Sequence, residues 1–494
     1  MPDKSDKLKW WILLTVIIGT FLGRLDQTIV NLALPKIIND FSITVSSAGW
    51  IATAYILANA VFVPIWGKLG DTIGRKKVYL MGFGIFIIGS ILAGLSWNLY
   101  SMIIFRVVQA IAGSADYPTA MAIIAVTFKG MKERAQALGI WSSSFAAASV
   151  FGPLIGGPLI DNFGWRSVFL VNLPVGLIGM AMAIIFVTES RQEGQGRHYF
   201  DWWGALSLGG MLSSLVLVLD QGQTWGWIAW QSNTCYFLIV ALLWIFIAIE
   251  HHVREPIVDL KFFKIPAFVN TLTNNFIVFM GMMGGVFLIP IFAQTFLGDT
   301  ATQSGYLFMP MAVALMCAAP LGGALIGKVQ ARYVIFASTI VAGIGLYFFS
   351  FLDARSTAWS IMWPLFIMAF GLGFGMAQRT NIIASVVDQH EIGIASSILA
   401  LARNVAGAFG IALFGTLLNN RINVNILRIN ALSWVHSHAP ADMATYIALV
   451  LSKAQIDAYN FVFVTSSIIV ILGSFTILTL KVGRERTDLK VHVE

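Results

Sequence analysis

The sequence predicts an all-α polytopic membrane protein, built as two six-helix bundles with two extra helices inserted between them. Three observations lead there. Of 494 residues, 57% are hydrophobic and only 11% charged, far more apolar surface than one or two soluble cores can hide. The apolar residues gather into roughly fourteen runs, each long enough to cross a bilayer as a helix at about 20 residues per crossing. GKLGDTIGRKK after the second run is echoed by GGALIGKVQARY after the tenth, with Gly, a cation and the turn kept and the acid lost. Such an echo marks a chain made of two related halves.

The runs start near Trp10, Ser46, Val78, Leu99, Lys132, Trp165, Trp202, Asn233, Lys264, Gln303, Tyr333, Ala358, Ile392 and Ala458. They divide the chain into an N-terminal segment (1–9), an N-terminal bundle (10–190), a linker (191–201), the inserted pair (202–252), a second linker (253–263), a C-terminal bundle (264–481) with a long loop at 420–458, and a tail (482–494). The opening MPDKSDKLK mimics a secretory signal. The run after it is too long and lacks a small-residue cleavage site, so it is kept as the first span.

The connections alternate in charge. KLGDTIGRKK, FKGMKER, ESRQEGQGRH, HHVREPIVDLKFFK, GKVQARY and KVGRERTDLK are basic, whereas SWN, QGQTWGWIAWQSN, LGDTATQS and LDARSTAWS are not. Of the 31 Lys and Arg, 22 fall on the basic side, 6 on the other and 3 inside runs. The positive-inside rule then makes the basic side, with both termini, cytoplasmic, in an inner or plasma membrane. The loop Asn420 to Tyr459 is amphipathic in places and is expected to form surface helices over the outer mouth. Tryptophans of WWI, FDWW and TWGWIAWQ fall at run ends, where an aromatic belt places them.

Composition also excludes functions. The net charge of +7 sits in short clusters between apolar runs, where it sets topology, so a nucleic-acid partner is not expected. Cys235 and Cys317 encode neither a disulfide framework nor a thiolate metal site. GGALIGKV contains G-x-x-x-x-G-K, but Val329 replaces the hydroxyl a phosphate loop needs for magnesium. His436 and His438 lack a third ligand, and GLGFG at 371–375 follows no strand. No cofactor or metal is expected, and no nucleophile, base or metal constellation marks an enzyme.

What remains is charge inside the membrane. WWILLTVIIGTFLGRLDQTIVNLAL carries Arg24 and Asp26, each costing on the order of 2.5–3.5 kcal/mol even on a lenient scale. The string GKLGDTIGRKK combines Gly67, Gly70 and Gly74 for close helix ends with Asp71 and Arg75, a candidate cytoplasmic gate. In SVFGPLIGGP, Pro153 frees a backbone carbonyl and can kink the helix, while Gly152 and Gly156, with Gly157, offer a surface for close helix packing, a candidate hinge between halves.

GKLGDTIGRKK, following WIATAYILANAVFVPIWGKL, resembles the cytoplasmic loop signature of the major facilitator superfamily. RLDQTIVNLALP resembles the first-helix signature of its fourteen-span drug:proton antiporter branch through Asp26, Thr28, Asn31, Ala33 and Pro35. FRVVQAIAG resembles the fourth-helix motif through Arg106, Gln109 and Gly113. SVFGPLIGGPLID resembles the fifth-helix antiporter motif through Gly152, Pro153, Gly156 and Gly157, and GWRSVFLVNLPVG resembles the segment after it. The resemblance implies two bundles that alternate between inward-open and outward-open and use the proton gradient to expel a small molecule.

Helix geometry supplies an independent check. If the first helix ends near Leu34, Asp26 lies about 12 Å below its outer end, and Arg106 lies about 10 Å down the fourth helix. The opposite charges share a depth. A carboxylate beside a cation stays ionised, and losing that cation raises its pKa, so such a pair can load and release a proton. A permanent packing pair is the competing reading. Around the helix, Arg24, Gln27, Thr28 and Asn31 share one face and Asp26 lies about 150° away. The Arg24 stripe is therefore expected to line a substrate path with Gln109, Asn275 and Arg403, and Asp26 to point into packing towards the fourth helix. Asp116 departs from the family pattern. It is either a second proton site, a cation-selecting group, or a silent partner of Arg24 or Arg403.

The sequence thus reads as a proton-coupled secondary efflux transporter for small hydrophobic or amphipathic molecules. A dedicated exporter of a metabolite, amino acid or lipid is the alternative within transport, and a non-transporting membrane sensor the alternative outside it. Expected partners are substrate, protons and the lipid bilayer, with accessory envelope proteins compatible.

Overall fold

The computed structural model describes residues 4–128, 131–190, 201–253, 256, 258, 260–326, 328–387, 392–432 and 440–478. Among them every regular element is helical. The helices are α1 (Lys4–Phe41), α2 (Val45–Ile73), α3 (Arg75–Gly94), α4 (Leu99–Gly113), α5 (Asp116–Thr127), α6 (Met131–Phe163), α7 (Ser167–Leu170), α8 (Asn172–Phe186), α9 (Trp202–Trp225), α10 (Trp230–His252), α11 (Pro266–Phe292), α12 (Ala301–Tyr306), α13 (Met309–Gly323), α14 (Ala331–Phe348), α15 (Ala358–Ser385), α16 (Ile392–Leu432) and α17 (Pro440–Ser474). Twelve stretches among the described residues are long and apolar enough to cross a membrane. The α4–α5 pair and α6 account for the other two runs seen in the sequence. The end of the molecule with Lys4 and the α2–α3 turn is termed proximal, the opposite end distal.

Three boundaries differ from the sequence reading. Helix α1 does not stop near Leu34 but continues through Pro35 to Phe41. Proline removes one backbone donor, and the turns around it are held by Leu34 and Ile37, both fully buried. The segment 420–458 does not form separate surface helices where it is described. It extends α16 to 41 residues and α17 to 35, and the two are tied where Asn425 Nδ2 donates to the Ala454 carbonyl at 3.1 Å. The fourth span is broken at Ser114 and Ala115, because the ring of Pro118 cannot sit over the carbonyl four residues earlier in a continuous helix. That break places Asp116 at the start of α5.

Helices α1–α8 pack among themselves, as do α11–α17. The two groups meet along α2–α16 and α6–α12, and a shared core that includes Ile29, Leu34, Ile51, Phe287, Phe292 and Phe414 runs across the seam. Helix α9 wedges against both α2 and α16, with Thr416 Oγ1 donating to the Leu219 carbonyl at 3.0 Å. Its partner α10 is peripheral and exposes Phe237, Val240 and Trp244, which suits a lipid boundary.

The distal ends of the two groups are joined. Asp161, near the end of α6, accepts from Ala301 N at 3.1 Å, Thr302 N at 2.9 Å and Thr302 Oγ1 at 2.7 Å, all in the first turn of α12. Gln294 Nε2 donates to the Leu32 carbonyl at 3.0 Å. The proximal α2–α3 turn is a single residue, Gly74, whose φ of 112° excludes ordinary side chains.

Candidate functional site

Asp26 faces into the helix packing, as its angular position on α1 predicts, and it is fully buried. Arg106 Nη1 on α4 donates to its Oδ2 at 2.5 Å. Its Oδ1 accepts from Gln109 Nε2 at 2.9 Å and from Asn172 Nδ2, on α8, at 2.8 Å. Ser90 Oγ on α3 accepts from Gln109 at 2.7 Å and from Asn172 at 3.3 Å. Helices α4 and α8 therefore converge on the carboxylate of α1, and α3 joins the cluster through Ser90. Arg106 holds further partners: Gln109 Oε1 at 2.6 Å, the Ile51 carbonyl at 3.5 Å and the Tyr55 ring, 4.1 Å away. The guanidinium keeps acceptors and a π-face even if Asp26 loses its charge.

The Arg24 side of α1 opens on a narrow polar cavity. Arg24, Gln27, Tyr55, Asn59, Asp116 and Tyr117 line it, and Arg24 Nη1 donates to Gln27 Oε1 at 3.1 Å. Asp116 also borders a second, apolar cavity with Tyr79, Phe83 and Phe86. Its Oδ2 accepts from Thr20 Oγ1 at 2.6 Å, and Thr20 in turn accepts from Trp141 Nε1 on α6 at 2.9 Å. Asp116 thus stands at the wall between a polar and an apolar space, tied to α1 and, through Thr20, to α6.

Other expected cavity residues are placed elsewhere. Gln109 belongs to the Asp26 cluster, because α4 turns it towards α1 and α8. Thr28 faces α6, donating to the Leu25 carbonyl at 2.9 Å and lying 3.3 Å from that of Ala148. Asn31 is half-buried on α1 and does not line either cavity. Asn275 is fully buried, with neither amide atom hydrogen-bonded. Arg403 lies with its guanidinium 5.2 Å from the Phe279 ring.

The stretch Gly152–Gly157 is a wedge between the halves. A side chain at Gly152 would collide with Thr28 and one at Gly156 with Ile29, both on α1, whereas one at Gly157 would strike the backbone of Thr302 on α12. The carbonyl of Pro153 packs against Gly305 of α12. Helix α6 can approach both neighbours only because these positions lack side chains.

At the proximal turn, Lys76 N donates to Glu189 Oε1 at 3.1 Å and Arg75 N to the Ser190 carbonyl at 3.2 Å. Arg75 is buried, with Nη1 3.4 Å from the Ala122 carbonyl. Gly70 sits one turn before Gly74, whose N–H it accepts at 3.1 Å. Gly67 and Asp71 lie on the α2 backbone, and their surroundings are outside the described residues, as are His436 and His438. Among the described residues no three His, Cys, Asp or Glu side chains converge on a metal site.

One cluster escaped the sequence reading. Arg379, counted there with the basic-side residues, is buried in α15. Its Nε donates to Asn274 Oδ1 on α11 at 2.9 Å and its Nη2 to Thr339 Oγ1 on α14 at 2.8 Å, while Asn274 Nδ2 donates to the Gly473 carbonyl on α17 at 3.1 Å. The first, third, fourth and sixth spans of the C-terminal bundle meet on a buried arginine, as their counterparts do on Arg106. The available signal was register: the spans of the two halves align, and each fourth span carries one arginine.

Comparison with known proteins adds a family. The family model described as Major Facilitator Superfamily matches residues 16–411. The chain is 32% identical over 461 residues to the multidrug transporter protein MdtP of Bacillus subtilis, covering 92% of this chain and 83% of that one. It is 30% identical over 428 residues to the riboflavin transporter RibZ of Clostridioides difficile, covering 85% and 90%. Among solved structures, a bacterial homolog of the human lysosomal transporter Spinster, in an inward-facing and unoccupied conformation, superposes with a TM-score of 0.69 at 17% identity, covering 96% of this chain and 98% of that one.

Proposed function

The chain belongs to the major facilitator superfamily, and from that premise we propose that it is a proton-coupled antiporter that exports small hydrophobic or amphipathic molecules by alternating access. Relatives are named multidrug transporter and multidrug resistance proteins, and one is named a tetracenomycin C resistance and export protein. The membrane is the inner or plasma membrane, with the proximal, basic side and both termini in the cytoplasm.

The observation that carries the coupling is the convergence of Arg106, Gln109 and Asn172 on Asp26. Breaking a buried ion pair by removing one charge typically costs about 3–5 kcal/mol, because the other charge is stranded. Here Gln109 Oε1, the Ile51 carbonyl and the Tyr55 ring remain to Arg106, which lowers that cost. A proton arriving on Asp26 releases Arg106 towards α2, and its departure draws α4 back to α1. Protonation then becomes a change in helix contacts inside the N-terminal half, and the α6 wedge passes it to the C-terminal half. Asp116 acts as a second proton site at the cavity wall, and the Gly67–Arg75 turn and Gly152–Gly157 serve as proximal gate and hinge. The cavity beside Arg24, Gln27 and Tyr117 holds the substrate.

Purified protein in proteoliposomes with an imposed pH gradient tests this, screened with cationic, anionic and zwitterionic candidates. Asp26→Asn should bind ligand yet lose uphill transport down to the level seen without a gradient. Full uphill transport in that variant refutes the coupling role. Proton movement linked to none of the candidates favours a sensor.

The metabolite-exporter reading has its own support. The cavity wall carries both Arg24 and Asp116, a charge pattern suited to a defined polar ligand, and a relative is named a riboflavin transporter. Tolerance to lipophilic cations on expression separates the two: a multidrug exporter raises it and a dedicated one does not.

A further inference from the structure

The two halves differ in charge balance. On the N-terminal side Arg24 and Asp116 face the same space and lie within electrostatic reach of each other, while Asp26 and Arg106 neutralise one another. That side is self-compensated. On the C-terminal side stand two arginines, Arg379 on α15 and Arg403 on α16, close enough to repel. Neither has a carboxylate partner among the described residues; the acids after α15, Asp388 and Glu391, lie outside them.

Unused hydrogen-bonding capacity collects at the same place. Arg403 Nε and Arg379 Nη1 are buried without a partner, and so are both amide atoms of Asn275. Asn275 follows Asn274, which holds Arg379. It lies one helical turn before Phe279, on the same face of α11, and Phe279 carries the Arg403 guanidinium. Arg403 also lies within electrostatic reach of Tyr117, which lines the polar cavity in the other half. Each buried polar group left unpaired costs about 1–3 kcal/mol, more for a charged one. A chain that keeps several such groups together, around a guanidinium in hydrocarbon, keeps them for a group that arrives from elsewhere.

We propose that Arg403 and Asn275, backed by Arg379, form an anion site in the C-terminal half, and that its ligand is the carboxylate of the exported molecule. The guanidinium fork matches a carboxylate in shape and charge, and the Asn275 amide supplies a further donor. The favoured substrates are amphipathic anions or zwitterions. This inference rests on the export reading for the word substrate, but its test reads binding alone, so a failure of coupling or of transport would leave the result intact.

The test uses the full chain in lipid nanodiscs without any gradient. Binding is followed by fluorescence for N-dansyl-leucine, its methyl ester and dansylcadaverine, in gluconate buffer. The carboxylate should bind about tenfold tighter than the ester, the value of one charge-assisted contact. Arg403→Gln should remove that preference and leave ester affinity unchanged, and Arg403→Lys should keep part of it. Asn275→Leu should weaken the carboxylate several-fold more than the ester, which decides the matter if Arg403→Gln does not fold. Equal affinity for carboxylate and ester in the parent protein overturns the proposal, and so does a preference that survives Arg403→Gln. If replacing gluconate by chloride abolishes the preference, the site takes bulk anions, and its assignment to a substrate carboxylate is overturned.

Discussion

Asp161 is the most direct handle on the conformational cycle, because its carboxylate joins the distal ends of the two halves. Alanine there removes the acceptor for Ala301 N, Thr302 N and Thr302 Oγ1. The first two are orphan donors of the first turn of α12, while Thr300 caps the third, that of Gln303. A side chain in such a role contributes about 0.5–2 kcal/mol. Asp161 is exposed and Thr302 half-buried, so water takes over the freed donors and the charge is screened, which keeps the loss near 1–2 kcal/mol. Only the distal-closed state contains this contact, so its loss raises the distal-open to distal-closed ratio about 5- to 30-fold. Spin labels on Phe163→Cys and Trp359→Cys, with Cys235 and Cys317 replaced, would report the ratio as a distance distribution. Asp161→Ala should shift weight to the longer distance, and Asp161→Asn, which keeps one acceptor oxygen, about half as much. If the distribution with alanine superimposes on that of the parent, the contact does not hold the distal side shut.

Two further substitutions probe the glycines. Gly157→Val places a branched side chain against the Thr302 backbone. It should prevent distal closure, so export stops while the protein remains folded; normal export with the parent distance distribution would show that α6 does not need to approach α12. Gly74→Ala forces a β-carbon into a left-hand backbone conformation and against the Glu189 carboxylate. It should destabilise the proximal α2–α3 turn by about 1–2 kcal/mol, visible as faster hydrogen exchange over residues 70–78; unchanged protection would remove that turn from the gate.

Helical geometry made much of the site legible. The 3.6-residue period alone separates Asp26 from the Arg24 stripe, and chain direction alone sets Asp26 and Arg106 at matching depths, which the 2.5 Å contact realises. The depth argument used a helix end at Leu34, and the agreement survived an end at Phe41 because the contact depends on local register, not on where the helix stops. What stayed hidden needed neighbours. Asn172 and Ser90 complete the Asp26 cluster, yet each is a lone polar residue in an apolar run, and periodicity cannot tell a buried ligand from a solvated one. Thr28 shares a face with Arg24 but meets α6, because Gly152 lets that helix come too close for a cavity to form. Arg379 looked like a topological signal because it lies close to the basic end of its run.

The two arginine hubs divide the labour between the halves. Counting along the chain, Arg106 sits about 10 Å from the distal start of α4 and Arg379 about 32 Å from the distal start of α15. The same helix positions are thus used at opposite ends of the molecule. At the distal hub the partner of the arginine is a carboxylate, whose charge a proton can cancel. At the proximal hub the partners are an amide and a hydroxyl, which do not titrate. Under the proposed mechanism only the N-terminal hub can respond to protons. The C-terminal hub, with a cation that has no carboxylate partner among the described residues, can be neutralised there only by something carrying its own negative charge. Coupling follows if those two neutralisations favour opposite arrangements of the α6 wedge, with the proton releasing α4 from α1 in one half and the bound anion drawing α11, α15 and α16 together in the other.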